Sequence, residues 1–289
     1  MQKLKYKVIE KLNTMNATSG EINLLILLSK YQDEKGFVSG VYYKEVCEKL
    51  KISYQLFYDL LRSLNYKRII SYEKGSYLDY DVKILDNDFS NENFHDGYFN
   101  MNHKIFSNFK FFSLKAKEKL LAFRLMKILL TKDYIRDRQK SFIITKEKLT
   151  TEWTVFFRVS FRAMKGYLKS LKEFFYIGLK DGKYYITGKR EVYDRNQQTE
   201  EEQYNEFRIR KICRREKVNA STEKIMEFAK AINRKSQKLC YVPKEKRETT
   251  LTELLVQAVK KSVEKYKGEE RCLNPAYVHS ILNKLIGYQ

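Results

Sequence analysis

The sequence predicts a mainly helical α+β chain carrying small β-hairpins, and three observations lead there. First, 289 residues contain only 2 prolines and 11 glycines, so long helices meet few interruptions. Second, apolar residues recur at helical spacing, as in Leu56, Phe57, Leu60, Leu61 and Leu64. Third, short strand-like runs come in pairs around turn residues, Glu73-Lys74-Gly75-Ser76 and Lys180-Asp181-Gly182-Lys183. A hydrophobic content of 43% excludes a disordered chain despite 32% charged residues.

Taken in order, Tyr6 to Leu12 reads as a short helix or arm. Thr18-Ser19-Gly20-Glu21 caps an apolar helix that runs through Ile22 to Leu28. Phe37-Val38-Ser39 is a short strand. Tyr43 to Leu50 is a second helix with Val46, Cys47 and Leu50 inward, and Leu50-Lys51-Ile52-Ser53 is a tight turn. A third helix follows from Ser53 to Asn65, its stripe formed by Leu56, Phe57, Leu60, Leu61 and Leu64. Two strands, Arg68 to Tyr72 and Tyr77 to Leu85, close a hairpin. Helix, strand, helix, turn, helix and hairpin is the order of a winged helix.

The same order recurs after a polar stretch at 86–103, in which Tyr98 and Phe99 can pack as a short strand. Ser113-Leu114-Lys115-Ala116 opens a helix to Leu130, and Ser141 to Thr145 is a strand. Lys146 to Leu149 starts a helix, Ser160 to Phe174 makes another, and Tyr176 to Leu179 pairs with Tyr184 to Ile186 around an Asp-Gly turn. Leu50 to Leu64 spans fourteen residues, whereas Leu149 to Leu171 spans twenty-two. An extra turn or loop is therefore expected around Trp153-Thr154-Val155-Phe156-Phe157, with the repeat held in architecture and not in residue identity.

From Glu191 the texture changes to amphipathic helices, Thr222 to Arg234, Thr250 to Lys267 and Asn274 to Ile286. The expected divisions are a first winged-helix domain at 1–90, a second at 91–190, a linker helix at 191–220 and a small helical C-terminal domain at 221–289.

The charge is unevenly spread. Residues 1–100 hold 14 Lys+Arg against 14 Asp+Glu, residues 101–190 hold 22 against 7, and residues 191–289 hold 21 against 15. An excess of fifteen on ninety ordered residues fits a polyanionic partner, whose phosphates release counterions as they are neutralised. Scattered solubilising lysines are the plain alternative. Double-stranded DNA is the expected partner, bound mainly by the second domain.

The helix from Ser160 carries the candidate site. Ala163 or Met164, Tyr167, Leu168 and Leu171 line one face, while Arg162, Lys165, Lys169 and Lys172 line another at spacings of 3, 4 and 3. Arg158 and Ser160 stand at its start, where base-edge contacts of such a helix originate, and Lys180 and Lys183 sit in the hairpin downstream. In the first domain the matching positions are Ser53, Tyr54, Gln55, Tyr58 and Arg62, with Lys74 in the hairpin. That mild, tyrosine-rich surface reads equally well as a base-reading face or as a subunit contact.

Signals for catalysis are absent from the sequence. No phosphate-binding glycine loop occurs, and His95, His103 and His279 stand apart, without metal-site spacing. Cys47, Cys213, Cys240 and Cys272 are scattered, which is the pattern of free thiols in a reducing compartment. A non-enzymatic protein without metal or cofactor is expected. No apolar run approaches the ~20 residues of a membrane span. Met1-Gln2-Lys3-Leu4-Lys5 lacks the apolar core of a signal peptide, so a cytoplasmic, nucleoid- or plasmid-associated location is expected.

Two consecutive winged helices, the second more basic, resemble the tandem winged-helix replication initiators of plasmids. The stretch from Tyr98-Phe99-Asn100 to Leu121, with Ser113-Leu114-Lys115-Ala116-Lys117 opening a helix, is similar to the start of winged-helix domains in plasmid initiators of low-GC Gram-positive bacteria. The tail Asn274 to Asn283 is similar to the end of DnaD-type replication proteins. The resemblance implies a first domain that dimerises, a second that binds repeated origin sites, and a helical tail that contacts replication machinery. A transcriptional regulator with the same DNA-binding parts is the second expectation, and a protein-interaction module the third.

Overall fold

The computed structural model describes residues 2–90, 97–101, 104–131, 141–194, 197–236, 256–259, 261 and 273. It is a mixed α+β chain with small antiparallel sheets, divided into a unit at 1–196 and a unit at 197–289. The helices beyond Thr250, the three histidines, Cys240 and Cys272 fall largely or wholly outside the described residues.

In the first unit, strand β1 (Lys3–Lys5) leads into α1 (Tyr6–Thr14) and α2 (Ser19–Ser29). Thr18 caps α2 through a reciprocal capping box with Glu21, which satisfies two otherwise orphaned amides. Nearly all of α2 is buried, so it serves as a central core helix. Next come β2 (Phe37–Tyr42), α3 (Tyr43–Leu50), α4 (Tyr54–Tyr66), β3 (Ile70–Lys74) and β4 (Asp79–Ile84). The three strands pair in the order β2-β4-β3, with Val38, Ile70, Val82 and Ile84 facing the core.

The pattern then repeats. After β5 (Tyr98–Asn100) and α5 (Phe109–Ser113) come α6 (Ala116–Thr131), β6 (Phe142–Thr145) and α7 (Lys146–Lys148). A π turn at Leu149–Trp153 passes into α8 (Thr154–Phe157), followed by α9 (Phe161–Ser170) and a 3-10 turn at Leu171–Glu173. Strands β7 (Phe175–Lys180) and β8 (Lys183–Gly188) complete a sheet of order β6-β8-β7, and α10 (Arg190–Tyr193) follows. The Asp181-Gly182 turn has φ of 49° and 69°, the mirror-type geometry that an Asp-Gly hairpin favours.

One expectation is corrected and another is narrowed. Leu56 is 41% exposed and does not join the stripe of α4, because Phe57, Leu60, Leu61 and Leu64 already fill the inward face. Of the extra turn or loop expected around Trp153, the structure has the turn, set inside a helix. The added residues lengthen the second helix of the repeat, which runs without a break from Lys146 to Phe157, against Tyr43 to Leu50 in the first copy. Phe157, not Leu149, is therefore the counterpart of Leu50, and Phe157 to Leu171 spans the same fourteen residues as Leu50 to Leu64.

With that register some positions of the repeat are identical. Ser53, Leu61, Ser63 and Leu64 match Ser160, Leu168, Ser170 and Leu171, and Lys51-Ile52 has the similar pair Arg158-Val159. Lys51 and Arg158 both adopt the left-handed conformation, with φ of 53° and 54°. The amides that follow bond back alike, Ile52 to the Cys47 carbonyl and Val159 to that of Thr154, both at 3.0 Å.

The two copies share a core. β1 pairs with β5, placing Leu4 opposite Phe99, and both α1 and α2 pack on α6. Lys119 of α6 is fully buried and donates to the Ser19 hydroxyl and, at 2.8 Å, to the Phe112 carbonyl. In the unit at 197–289, α11 (Gln197–Arg215) and α12 (Thr222–Ser236) pack through Ile209, Ile212, Ile225, Phe228 and Ile232.

Candidate nucleic-acid interface

α9 is positioned by its buried side. Met164, Leu168 and Leu171 are 0–3% exposed and anchor it, with Tyr167 and Ala163 at the margin. Ser160 caps the helix, its hydroxyl accepting from the Ala163 amide at 3.2 Å. The left-handed Arg158 redirects the chain from α8 so that α9 starts at once.

On the outer side Arg162, Lys165, Lys169 and Lys172 are all exposed, and their spacing draws one basic stripe along the helix. Arg158 and Ser160 are exposed at its head. Lys165 lies over the Phe161 ring at 5.1 Å, and Lys146 approaches the same ring at 5.9 Å. Elsewhere lysines find acids, as in Lys110 with Glu173 at 2.6 Å and Lys148 with Glu152 at 3.6 Å. Among the described residues Arg158, Arg162, Lys165, Lys169 and Lys172 form no ion pair.

The hairpin tip adds to this surface. Lys180 and Lys183 are exposed and face each other directly in the β7-β8 register. Like charges directly opposite one another destabilise a strand pair, and the exposed Asp181 stands in the turn between them. The Lys146 amide donates to the Gly182 carbonyl at 2.9 Å, which brings a third exposed lysine to the tip. Sequence reasoning missed Lys146. The signal was present, because a residue directly following the strand that pairs with β8 must lie beside the β7-β8 turn.

The first copy has the same scaffold with different chemistry. Ser53 caps α4 by accepting from Leu56 at 3.2 Å, and Cys47 donates its thiol to the Ser53 carbonyl at 3.6 Å. At positions matching Arg162, Lys165 and Lys169 stand Gln55, Tyr58 and Arg62. Asp59 engages two of them, accepting from Gln55 at 3.0 Å and pairing with Arg62 at 3.5 Å. Tyr54, half exposed, packs edge-on against Tyr43 at 5.0 Å, and Tyr58 lies between Tyr43 and Tyr80. Burial pushes the Tyr58 hydroxyl pKa up, helped by Tyr80 and Tyr43. Lys74 rests over Tyr77 at 5.5 Å, and Tyr77 is 89% exposed at the hairpin tip.

Outside these faces the chemistry is sparse. No group of three or more His, Cys, Asp or Glu side chains suited to a metal occurs among the described residues. Cys47 and Cys213 are buried free thiols, and burial pushes Cys213 up to about 11. No helix among the described residues is long and apolar enough to cross a membrane. Comparison of the chain with known protein families, with curated proteins and with solved structures finds no match.

Proposed function

We propose that this chain is a non-enzymatic, sequence-specific double-stranded DNA-binding protein built on tandem winged helices, and that it acts as a replication initiator on repeated origin sites. The observation that carries the reading is the exposed, acid-free basic stripe of α9 beside the Lys146-Lys180-Lys183 hairpin tip. A helix with its N-terminal residues free and a basic hairpin alongside suits the major groove and the flanking phosphates. The repeated order of helix, strand, helix, helix and hairpin supports the winged-helix reading of both copies.

In this reading α9 is the recognition helix. The tyrosine face of α4, with its cation neutralised by Asp59, serves dimerisation, and the helices from α11 onward contact replication machinery. A transcriptional regulator is the second reading, favoured by a cavity beside α8 that is large enough for a small effector.

The test is a fluorescence-anisotropy titration of labelled duplex at several salt concentrations. With about 6–10 phosphate contacts, affinity falls ~10³–10⁵-fold between 50 and 200 mM salt. Absence of duplex binding at low salt overturns the proposal and leaves protein interaction as the better reading. Genome-wide binding separates the two DNA roles, an origin with direct repeats marking an initiator and promoters marking a regulator.

A further inference from the structure

Between α1, α6 and α8 lies a cavity of about 340 Å³, at the small end of ligand pockets, which run ~300–1,000 Å³. Its walls are apolar, with Ile9, Phe99, Leu120, Phe123, Ile128 and Phe157 among them. Besides Tyr6, the polar side chains Glu10, Asn13, Arg124, Lys127 and Thr131 reach it. All but Arg124 are engaged, Thr131 by donating its hydroxyl to the Lys127 carbonyl. Lys127 pairs with Glu10 at 3.0 Å, and Asn13 donates to the Phe156 carbonyl at 3.0 Å while accepting from Lys117.

Arg124 is different. Its guanidinium is held by aromatic rings, 4.2 Å from the centre of Phe156 and 4.9 Å from that of Trp153. Trp153 is stacked in turn on Phe142 at 6.0 Å, so the arginine is fixed in orientation. Its Nε is buried and has no hydrogen-bond partner among the described residues. The acids whose fields reach it are Glu10 and Glu152, and they are paired with Lys127 and Lys148. A half-buried guanidinium held against two rings, with its Nε donor left over, is half of a charge-assisted contact.

The rings that hold Arg124 come from the segment that distinguishes the second copy from the first. The π turn and α8 deliver Trp153 and Phe156, whereas the matching positions of α3 hold Val46 and Lys49, which supply no ring. π turns inside helices frequently mark functional sites. We propose that this cavity is a binding site for a small amphipathic carboxylate, whose apolar body fills the pocket and whose carboxylate accepts from Arg124. This deepens the regulator reading but does not depend on DNA binding.

Trp153 is the single tryptophan of the chain, so its fluorescence reports on this site alone. The full chain is titrated with 4-phenylbutyrate and with its uncharged analogue 4-phenylbutanol, by calorimetry and by Trp153 emission. Expected are saturable heats with a matching change in emission, and at least a tenfold preference for the carboxylate. Arg124→Gln removes that preference while the alcohol still binds. The proposal is overturned if the carboxylate gives no saturable signal, if heats appear without an emission change, or if the wild-type chain binds acid and alcohol equally. The comparison within the wild-type chain decides even if Arg124→Gln fails to fold, and none of these readouts involves DNA.

Discussion

Ser170 donates its hydroxyl to the Glu118 carboxylate at 2.8 Å, and Ser63 donates to Glu21 at the same place in the other copy. Each glutamate also accepts an amide three residues earlier, from Lys115 and from Thr18. One buried carboxylate thus caps the first helix of each copy and ties it to the third.

Substitution at these latches is expected to separate a neutral hydrogen bond from a buried charge. Ser170→Ala costs about 1 kcal/mol. Glu21→Gln costs about 3 kcal/mol, because Lys67, held at 2.7 Å, loses its carboxylate. Burial raises the Glu21 pKa, but hydrogen bonds from Lys67, Ser63 and the Thr18 amide outweigh it and the net shift is downward. Its contribution is therefore present above the ordinary carboxylate range and lost as pH falls through the lowered value. Urea melts of both variants at pH 7 and below pH 4 check this, with the Glu21→Gln deficit shrinking in acid.

The boundary between the copies offers a second expectation. A fragment of residues 1–90 lacks β5 and α6, the partners of Leu4 and of the inner faces of α1 and α2. It is expected to bind hydrophobic dye and unfold without cooperativity, whereas residues 1–196 unfold in one sharp transition. Well-dispersed amide resonances from the short fragment would contradict the shared core.

On the proposed reading of α9, Arg162 and Lys169 have different roles. Arginine pairs bidentately with guanine, so Arg162→Ala costs about 1–3 kcal/mol on a specific duplex and relaxes preference at one position. Lys169→Ala weakens specific and random duplexes alike and lowers the salt slope by about one. Titrations against both duplexes at several salt concentrations distinguish them. If neither variant changes affinity or discrimination, α9 lies outside the groove.

Lys119 gives an alkaline signature. Burial lowers its pKa to about 8, against the opposing charge of Glu118. Below that value the lysine is charged in both states and its burial penalty is complete. Between about 8 and the ordinary lysine value the unfolded chain holds the proton that the folded chain has released, so stability rises with pH. Lys30, also lowered to about 8, adds in the same direction. Between pH 8 and 10 the wild-type chain is expected to gain about 2–3 kcal/mol more than Lys119→Met. Denaturant melts across that range measure the difference, and parallel curves would rule the effect out.

Local pattern determined much of this protein. Helical spacing, the Thr18-Glu21 capping box, the Asp181-Gly182 turn and the exposure of Arg162, Lys165, Lys169 and Lys172 were legible because each depends on neighbours within a few residues. Tertiary structure decided what distant residues share. The β1-β5 pairing joins residues almost a hundred apart, and no local signal tells a three-residue strand where its partner lies. The matching of Phe157 to Leu50 was hidden because the added residues kept helical spacing, so a longer helix and an inserted loop look alike along the sequence. The Arg124 cavity was least legible. Its rings, cation and apolar wall come from α1, β5, α6 and α8, and burial without a partner is a property of the packed chain alone.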